Sequence, residues 1–271
     1  IFKIMRPFYL FIFALLFCVQ ANCQIPYTLN IQSIYLPSGF SAISFNENQY
    51  ITDSTLKYRN TFSTSYQPSR FGLAEISPIS LSYRNNMISN LSINASFEYF
   101  GFELYNEFAA GVGAVTKLKY LEIGGKITFH NANVKDYGNS SAISFDLFSR
   151  LNLHDNLAFA VLLENINRAY YSNANRTVPQ SAIFSIGWLP FKNLGIDIGT
   201  NIDLNTNASI IAGMKYKFNQ YLEANVKCNS SPFLIITGVN LSALDYLNIL
   251  FYLRYEEDFG YDEIIGIEIG F

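Results

Sequence analysis

The feature that most constrains this chain is a period-two alternation of apolar and polar residues. Over residues 194–202 one face is apolar and the other is small or polar, the two sets being Leu194, Ile196, Ile198 and Ile202 against Gly195, Asp197, Gly199 and Asn201. Successive side chains of a β-strand point to opposite faces of its sheet, so this stretch predicts a strand with one apolar face. The same pattern predicts strands at residues 142–152, 220–228, 245–255 and 261–271.

Applied to the whole chain, the alternation predicts fourteen strands. They span residues 57–66, 74–84, 88–100, 107–116, 119–129, 142–152, 156–165, 181–189, 193–202, 208–217, 220–228, 232–241, 245–255 and 261–271. Each strand with its connection takes about 15 residues, which suits tilted membrane strands of ~9–11 residues joined by short turns. The predicted fold is all-β, a transmembrane antiparallel β-barrel of 14 strands, or of 12 if the first hairpin is miscounted.

Alternation alone does not separate a membrane barrel from a soluble one, whose apolar face points inward. The composition favours the membrane, because only 14% of the residues are charged, against ~25% in ordinary soluble domains. The polar positions of the strands also hold mostly Gly, Ser, Asn and Thr instead of Lys and Glu. In lipid every backbone amide must be paired within the protein, so a membrane sheet closes with its apolar face outward. A soluble barrel that binds an apolar ligand stays a third alternative.

The N-terminus has the layout of an export signal. Lys3 and Arg6 precede an apolar run at residues 7–19, and Ala21-Asn22-Cys23 follows before Gln24. A basic segment, a short apolar run and small residues at a cleavage site define a secretory signal peptide, which we therefore predict at residues 1–23.

The predicted mature chain has two parts. Residues 24–56 alternate poorly and contain Pro37 and Gly39, so we predict a periplasmic segment or a segment inside the lumen. Residues 57–271 form the predicted outer-membrane barrel. The connections alternate in length, with the two longest, residues 131–141 and 166–180, on one side. Bacterial barrels keep short turns in the periplasm and longer loops outside, which places the C-terminal residue Phe271 at the periplasmic side.

The last strand carries the sharpest single signal. Ile265, Ile267, Ile269 and the terminal Phe271 share one face of it. This ending is similar to the C-terminal signature that the bacterial barrel-assembly machinery recognises. We therefore assign Ile267, Ile269 and Phe271 to a barrel-assembly signal, with the assembly machinery and outer-membrane lipid as predicted partners.

The C-terminal third resembles a known family. Val178-Pro179, the run from Leu194 to Gly199, the segment Ala212-Gly-Met-Lys-Tyr-Lys217 and the Gly-rich last strand resemble PorV/PorQ-like outer-membrane proteins of Bacteroidetes, relatives of the FadL-type long-chain fatty-acid transporters. The resemblance implies a 14-stranded barrel in a Gram-negative outer membrane and a transport or secretion-accessory role, with a hydrophobic ligand as the implied solute.

The polar faces of the predicted strands define a lumen-facing set with both signs of charge. Its members are Lys126, Asp146, Arg150, Glu164, Asp197, Lys215, Glu223, Lys227, Arg254 and Glu268. Such charges either line a pore or brace the wall through ion pairs, and the sequence leaves both roles open.

No enzymatic or cofactor chemistry is predicted. The two histidines, His130 and His154, fall on opposite sides of the predicted membrane and have no serine and acid at a supporting spacing, so no catalytic residue is assigned. We predict no metal site and no cofactor. A net charge of -3 without a cluster of Lys and Arg argues against a nucleic-acid partner.

The sequence thus predicts an outer-membrane barrel that is not an enzyme and acts in transport or as a secretion accessory, for hydrophobic or small solutes. The alternative is a non-conducting structural or partner-binding barrel that presents its two long loops outside the cell.

Overall fold

The protein folds into one closed antiparallel β-barrel of fourteen strands. A computed structural model describes residues 59–68, 77–88, 90–172, 177–203, 208–257 and 259–271. The predicted signal peptide at 1–23 and the segment 24–56 lie outside the described residues. Within the described part of the chain, no helix is long and apolar enough to cross a membrane.

The strands follow each other around the barrel in chain order. They are β1 (Asn60–Tyr66), β2 (Ile79–Ile88), β3 (Leu91–Phe102), β4 (Tyr105–Lys117), β5 (Leu121–Val134), β6 (Gly138–His154), β7 (Leu157–Glu164), β8 (Ser181–Phe191), β9 (Leu194–Asp203), β10 (Ser209–Lys217), β11 (Leu222–Ser230), β12 (Phe233–Leu244), β13 (Leu247–Glu256) and β14 (Gly260–Gly270). The predicted count of fourteen is confirmed, and the alternative of twelve is wrong.

The barrel closes through the pairing of β1 with β14. Thr61 lies opposite Gly270 on β14 and opposite Arg84 on β2, so β1 is hydrogen-bonded on both sides. Asn60 and Phe271 complete the seam by exchanging two backbone hydrogen bonds of 2.9 Å. Closure removes the unpaired edges that an open sheet would present for association with other chains.

Burial alternates along the strands as the sequence predicts. On β14, Ile265, Ile267 and Ile269 are exposed, whereas Asp262, Ile264 and Gly266 on the opposite face are buried. Neighbouring strands keep the same parity through their register, so one face of the sheet is mostly exposed and the other mostly buried. Leu194, Met214 and Val226 depart from this pattern and form a buried cluster on the outer face. In a closed barrel the buried face is the interior.

The connections differ between the two ends of the barrel. We call the turn end the one at which β14 finishes, with turns at residues 118–120, 155–156, 192–193, 218–221 and 245–246. The opposite end, which we call the loop end, carries the connection of residues 165–180 between β7 and β8. The described turns at the turn end are therefore all short, and the longest connection lies at the loop end.

The predicted long loop at residues 131–141 is wrong. β5 continues to Val134 and β6 begins at Gly138, so the segment is a hairpin with a three-residue turn. Asp136 and Gly138 adopt positive φ angles of 67° and 92° to make the reversal. Asn and Ser are depleted in strands, which made the segment look like a loop. Backbone pairing does not depend on those side chains.

Candidate functional site in the barrel interior

Charged residues separate almost completely between the two faces of the barrel. Among the described strands, nineteen of twenty Asp, Glu, Lys and Arg residues lie on the inner face, and only Glu263 lies on the outer one. The inner nineteen are Arg84, Glu98, Glu107, Lys117, Glu122, Lys126, Asp146, Arg150, Glu164, Asp197, Asp203, Lys215, Lys217, Glu223, Lys227, Arg254, Glu256, Asp262 and Glu268. Within the described strands, the charged surface is thus the one that faces the interior.

All ten residues that the sequence places in the lumen occupy this inner face. Some are almost completely inaccessible, with Arg254 0%, Arg150 5%, Lys215 6% and Asp197 7% exposed. The register brings several of them together, since Lys126 lies opposite Asp146 on β6. An exposed fraction this low for charged groups requires partners nearby, because an unpaired buried charge is very costly.

Two ion pairs brace the wall near the turn end. Arg150 Nη1 lies 3.7 Å from Glu122 Oε2, and Lys215 Nζ lies 3.2 Å from Glu223 Oε2. The other carboxylate oxygen of Glu223 accepts a 3.0 Å hydrogen bond from Asn240 Nδ2. These contacts join neighbouring strands through side chains as well as through the backbone.

Further contacts of this kind occur around the barrel. Arg254 pairs with Glu256 on the same strand, and Glu268 accepts a 3.1 Å hydrogen bond from Asn248 Nδ2. Glu164 accepts a hydrogen bond from the Ser181 hydroxyl across the β7–β8 pair. The interior therefore carries a network of polar contacts rather than isolated charges.

Sequence reasoning missed nine of the inner charges. Among them are Arg84, Glu98, Glu122 and Asp262, all within stretches predicted as strands. Period-two alternation could have identified Glu98 as an inner residue. It lies two residues from Ser96 in the same strand and therefore shares its face of the sheet.

Glycines on the inner face make room for long side chains. A Cβ atom at Gly111 would lie 2.4 Å from Lys126 Cε, and one at Gly238 would lie 2.1 Å from the Tyr252 ring. Both long side chains lie flat across a glycine of the neighbouring strand instead of pointing at the barrel axis. This explains why the polar face of the strands is rich in glycine.

The interior also contains an apolar patch. Phe148, Leu162, Ile183 and Ile211 are at most 7% exposed and pack together with Ala160. The register places these residues on the same face as Arg150 and Asp197, which is the inner one. These side chains thus fill part of the interior beside the charged residues.

The β7–β8 connection folds into the mouth of the barrel. Ala169, Tyr171 and Val178 are buried and pack against Ala142 and Ala132, which belong to the inner face of β6 and β5. Val178 is only 1% exposed. The predicted external loop at 166–180 is therefore a connection between strands, but its described residues cover part of the opening at the loop end.

Asn165 fixes this connection in place. Its backbone N–H donates to Asp146 Oδ1, its Nδ2 donates to the Val178 carbonyl, and its Oδ1 accepts from the Ala169 N–H, each at 2.8 Å. The residue is 1% exposed and has a φ of 50°, in the left-handed region that Asn tolerates better than most residues. One side chain thus links the start and the end of the connection.

A serine and a histidine meet in the wall, which spacing in the sequence did not reveal. His130 Nε2 lies 2.8 Å from Ser144 Oγ, and each residue is 3% exposed. An acyl-transfer site also needs free backbone N–H groups beside the nucleophile. The next amide, that of Phe145, donates to Asn167 Oδ1 at 2.9 Å. The pair joins β5 and β6 through their side chains.

A cavity of about 40 Å³ lies beside this pair at the loop end. Glu98, Glu107, His130 and Tyr171 contribute its polar lining. It has room for water but not for an organic solute. Among the described residues, no three His, Cys, Asp or Glu side chains are grouped so that they could hold a metal ion.

The proposed assembly signal lies on the outer face at the turn end. Ile267, Ile269 and Phe271 are 41%, 37% and 62% exposed. Ile267 and Ile269 lie opposite Thr64 and Phe62 of β1. These side chains are thus at the seam and accessible from outside the barrel.

Comparison with known proteins adds information about the fold. No family model matches the sequence, and no curated protein matches it. The solved CymD monoaromatic hydrocarbon channel superposes with a TM-score of 0.60 at 9% identity, over 79% of this chain and 89% of that one. This chain has the fold of outer-membrane channel barrels.

Two further structures agree with this assignment. The Pseudomonas putida toluene transporter TodX has a TM-score of 0.57 at 9% identity, over 86% of this chain and 98% of that one. The Acinetobacter baumannii outer membrane protein Omp33 has a TM-score of 0.54 at 9% identity, over 79% and 98%. At such low identity the likeness defines the fold, and membership in the PorV/PorQ-like family stays a prediction.

Proposed function

We propose that this chain is a bacterial outer-membrane barrel that carries small apolar or amphipathic solutes across the membrane. The observation that carries the proposal is the segregation of charge, with nineteen charged residues of the described strands inside and one outside. A soluble barrel needs the reverse arrangement, because its outer face meets water.

The outer face supports the membrane location. Val112, Ile198 and Ile210 are 61%, 59% and 62% exposed on it. Lipid accepts such side chains at no cost, whereas a Lys or Arg at the bilayer midplane costs about 2 to 4 kcal/mol. With the turn end in the periplasm, as in other bacterial barrels, the β7–β8 connection faces the cell exterior.

The interior supports the transport role. Its apolar patch around Phe148 and Ile211 lies beside ion pairs, so the interior contains both kinds of side chain. Structures with this fold include one described as a monoaromatic hydrocarbon channel and one described as a toluene transporter. We propose small aromatic solutes for this chain as well, because its interior contains the apolar patch.

A second candidate function is that of a non-conducting barrel that binds a partner or assists secretion. The inward-folded β7–β8 connection favours it, since Val178 and Tyr171 are packed into the mouth at the loop end. The two candidates differ in whether solutes pass.

Flux measurements separate the two candidates. Proteoliposomes holding the purified chain should take up a small aromatic solute faster than empty liposomes, and planar bilayers should show single-channel steps. Uptake equal to that of empty liposomes, together with silent bilayers, would contradict transport and favour the partner-binding barrel.

Adjacent isoleucines on opposite faces provide a matched control. Ile211 lies in the inner patch, and Ile210 lies on the outer face. Ile211→Thr should slow uptake of the aromatic solute several-fold because it places a hydroxyl in the apolar strip, while Ile210→Thr should leave it unchanged. Equal effects of the two variants would remove the patch from the transport path.

A further inference from the structure

The inner charges are not distributed evenly along the barrel axis. We divide each strand at its midpoint into a loop half and a turn half. The loop half holds six acidic residues and two basic ones, namely Glu98, Glu107, Glu164, Asp203, Glu256 and Asp262 with Lys227 and Arg254. Among the described strands this half therefore sums to a formal charge of -4.

The turn half has the opposite sign. It holds four acidic residues and six basic ones, namely Glu122, Asp197, Glu223 and Glu268 with Arg84, Lys117, Lys126, Arg150, Lys215 and Lys217. Its formal charge is +2, and Asp146 lies at the midpoint of β6. The interior is thus polarised along its axis, acidic towards the loop end and basic towards the turn end.

Charges of the two halves interact with each other. Glu164 on β7 interacts electrostatically with Lys126 on β5 and with Lys227 on β11. Lys227 interacts in addition with Asp197 on β9. Lysines on β5 and β11, six strands apart, therefore both interact with the Glu164 carboxylate. A charged solute on the barrel axis would experience the combined field of these groups.

We propose that the lumen selects cations over anions and takes up solutes with a positive charge, or a positive end, from the loop end. The inference rests on the proposed transport function and names a charge class for its solutes. Walls of low dielectric constant focus the field of the charges that line them. Rings of Asp and Glu give cation preference in channels for the same reason.

The order of the two regions gives the selection a direction. A cation approaching the loop end meets the acidic half first, and an anion is repelled there before it can reach the basic half. For a solute with both charges, the axial field favours entry with the positive end leading until that end reaches the basic turn half, to which Lys126 belongs.

The reversal potential under a KCl gradient tests the proposal on the full chain in planar bilayers. Potassium should be several-fold more permeable than chloride. A reversal potential that shows chloride preference, or none, would overturn the charge selection and leave transport standing. Bilayers without any conductance would also overturn the charge selection, and only uptake equal to that of empty liposomes in addition would overturn the transport function.

Two glutamates supply the matched variants. Glu98→Gln removes an inner charge of the loop half, and Glu263→Gln removes the one charge on the outer face of the described strands. Both change the net charge by the same amount. Glu98→Gln should lower the potassium preference and Glu263→Gln should not; an equal shift in both would mean that the lumen charges do not set the preference.

Discussion

At the scale of single residues, the face on which a side chain lies decides what a substitution does. Asp197 and Ile198 are neighbours in β9, yet Asp197 is 7% and Ile198 is 59% exposed. A shift of one residue in register would exchange every such pair between the two faces. The pair therefore reports the orientation of the whole strand.

We predict that Ile198→Arg impairs folding into lipid vesicles far more than Asp197→Asn. An Arg on the lipid face should cost about 2 to 4 kcal/mol near the midplane, while Asn in the interior retains hydrogen-bonding groups. Folding yield in vesicles, read by protease protection, measures both effects, with Ile198→Leu as the control. Equal tolerance of the two variants would place Ile198 away from lipid.

At the scale of elements, the strands could be predicted because period-two alternation is local. Every predicted strand corresponds to one in the structure, with the ends displaced by a few residues. The β5–β6 hairpin was missed because Asn and Ser at 131–141 obscure pairing that the backbone makes on its own. The contacts of Asn165 and of His130 depend on how distant strands and connections meet, which local pattern does not encode.

The β7–β8 connection yields the prediction at this scale. Asn165→Ala should loosen the connection and raise single-channel conductance, because it removes two side-chain hydrogen bonds and puts Ala at a φ of 50°. Asn165→Gly should act in the same direction with less loss of stability, since Gly accepts positive φ. Planar-bilayer recordings measure the change.

The control for these variants is Asn193→Ala, in the short turn between β8 and β9 at the turn end. It should leave the conductance unchanged. If Asn165→Ala and Asn165→Gly also leave it unchanged, the connection does not limit passage through the mouth.

At the scale of the whole molecule, the closed sheet should resist detergent. Every strand is hydrogen-bonded on both sides, so unfolding has no free edge from which to start. We predict that the unheated protein migrates differently from the boiled protein on a gel and fractionates with the outer membrane. Recovery from the soluble periplasmic fraction would contradict the membrane location.

The β1–β14 seam is the one strand pairing in the barrel that joins segments far apart in the chain. Thr61 and Gly270 are 209 positions apart in the chain (270 - 61), yet they are neighbours in the sheet. Every other strand pair joins segments adjacent in sequence, so hairpins can form early and locally. Only the seam requires the first and the last strand to meet. This meeting is opposed by a loop-closure entropy that grows with the length of the intervening chain. Contacts of such high sequence separation form slowly, and until the seam closes β1 and β14 each leave one edge of the sheet without a partner strand.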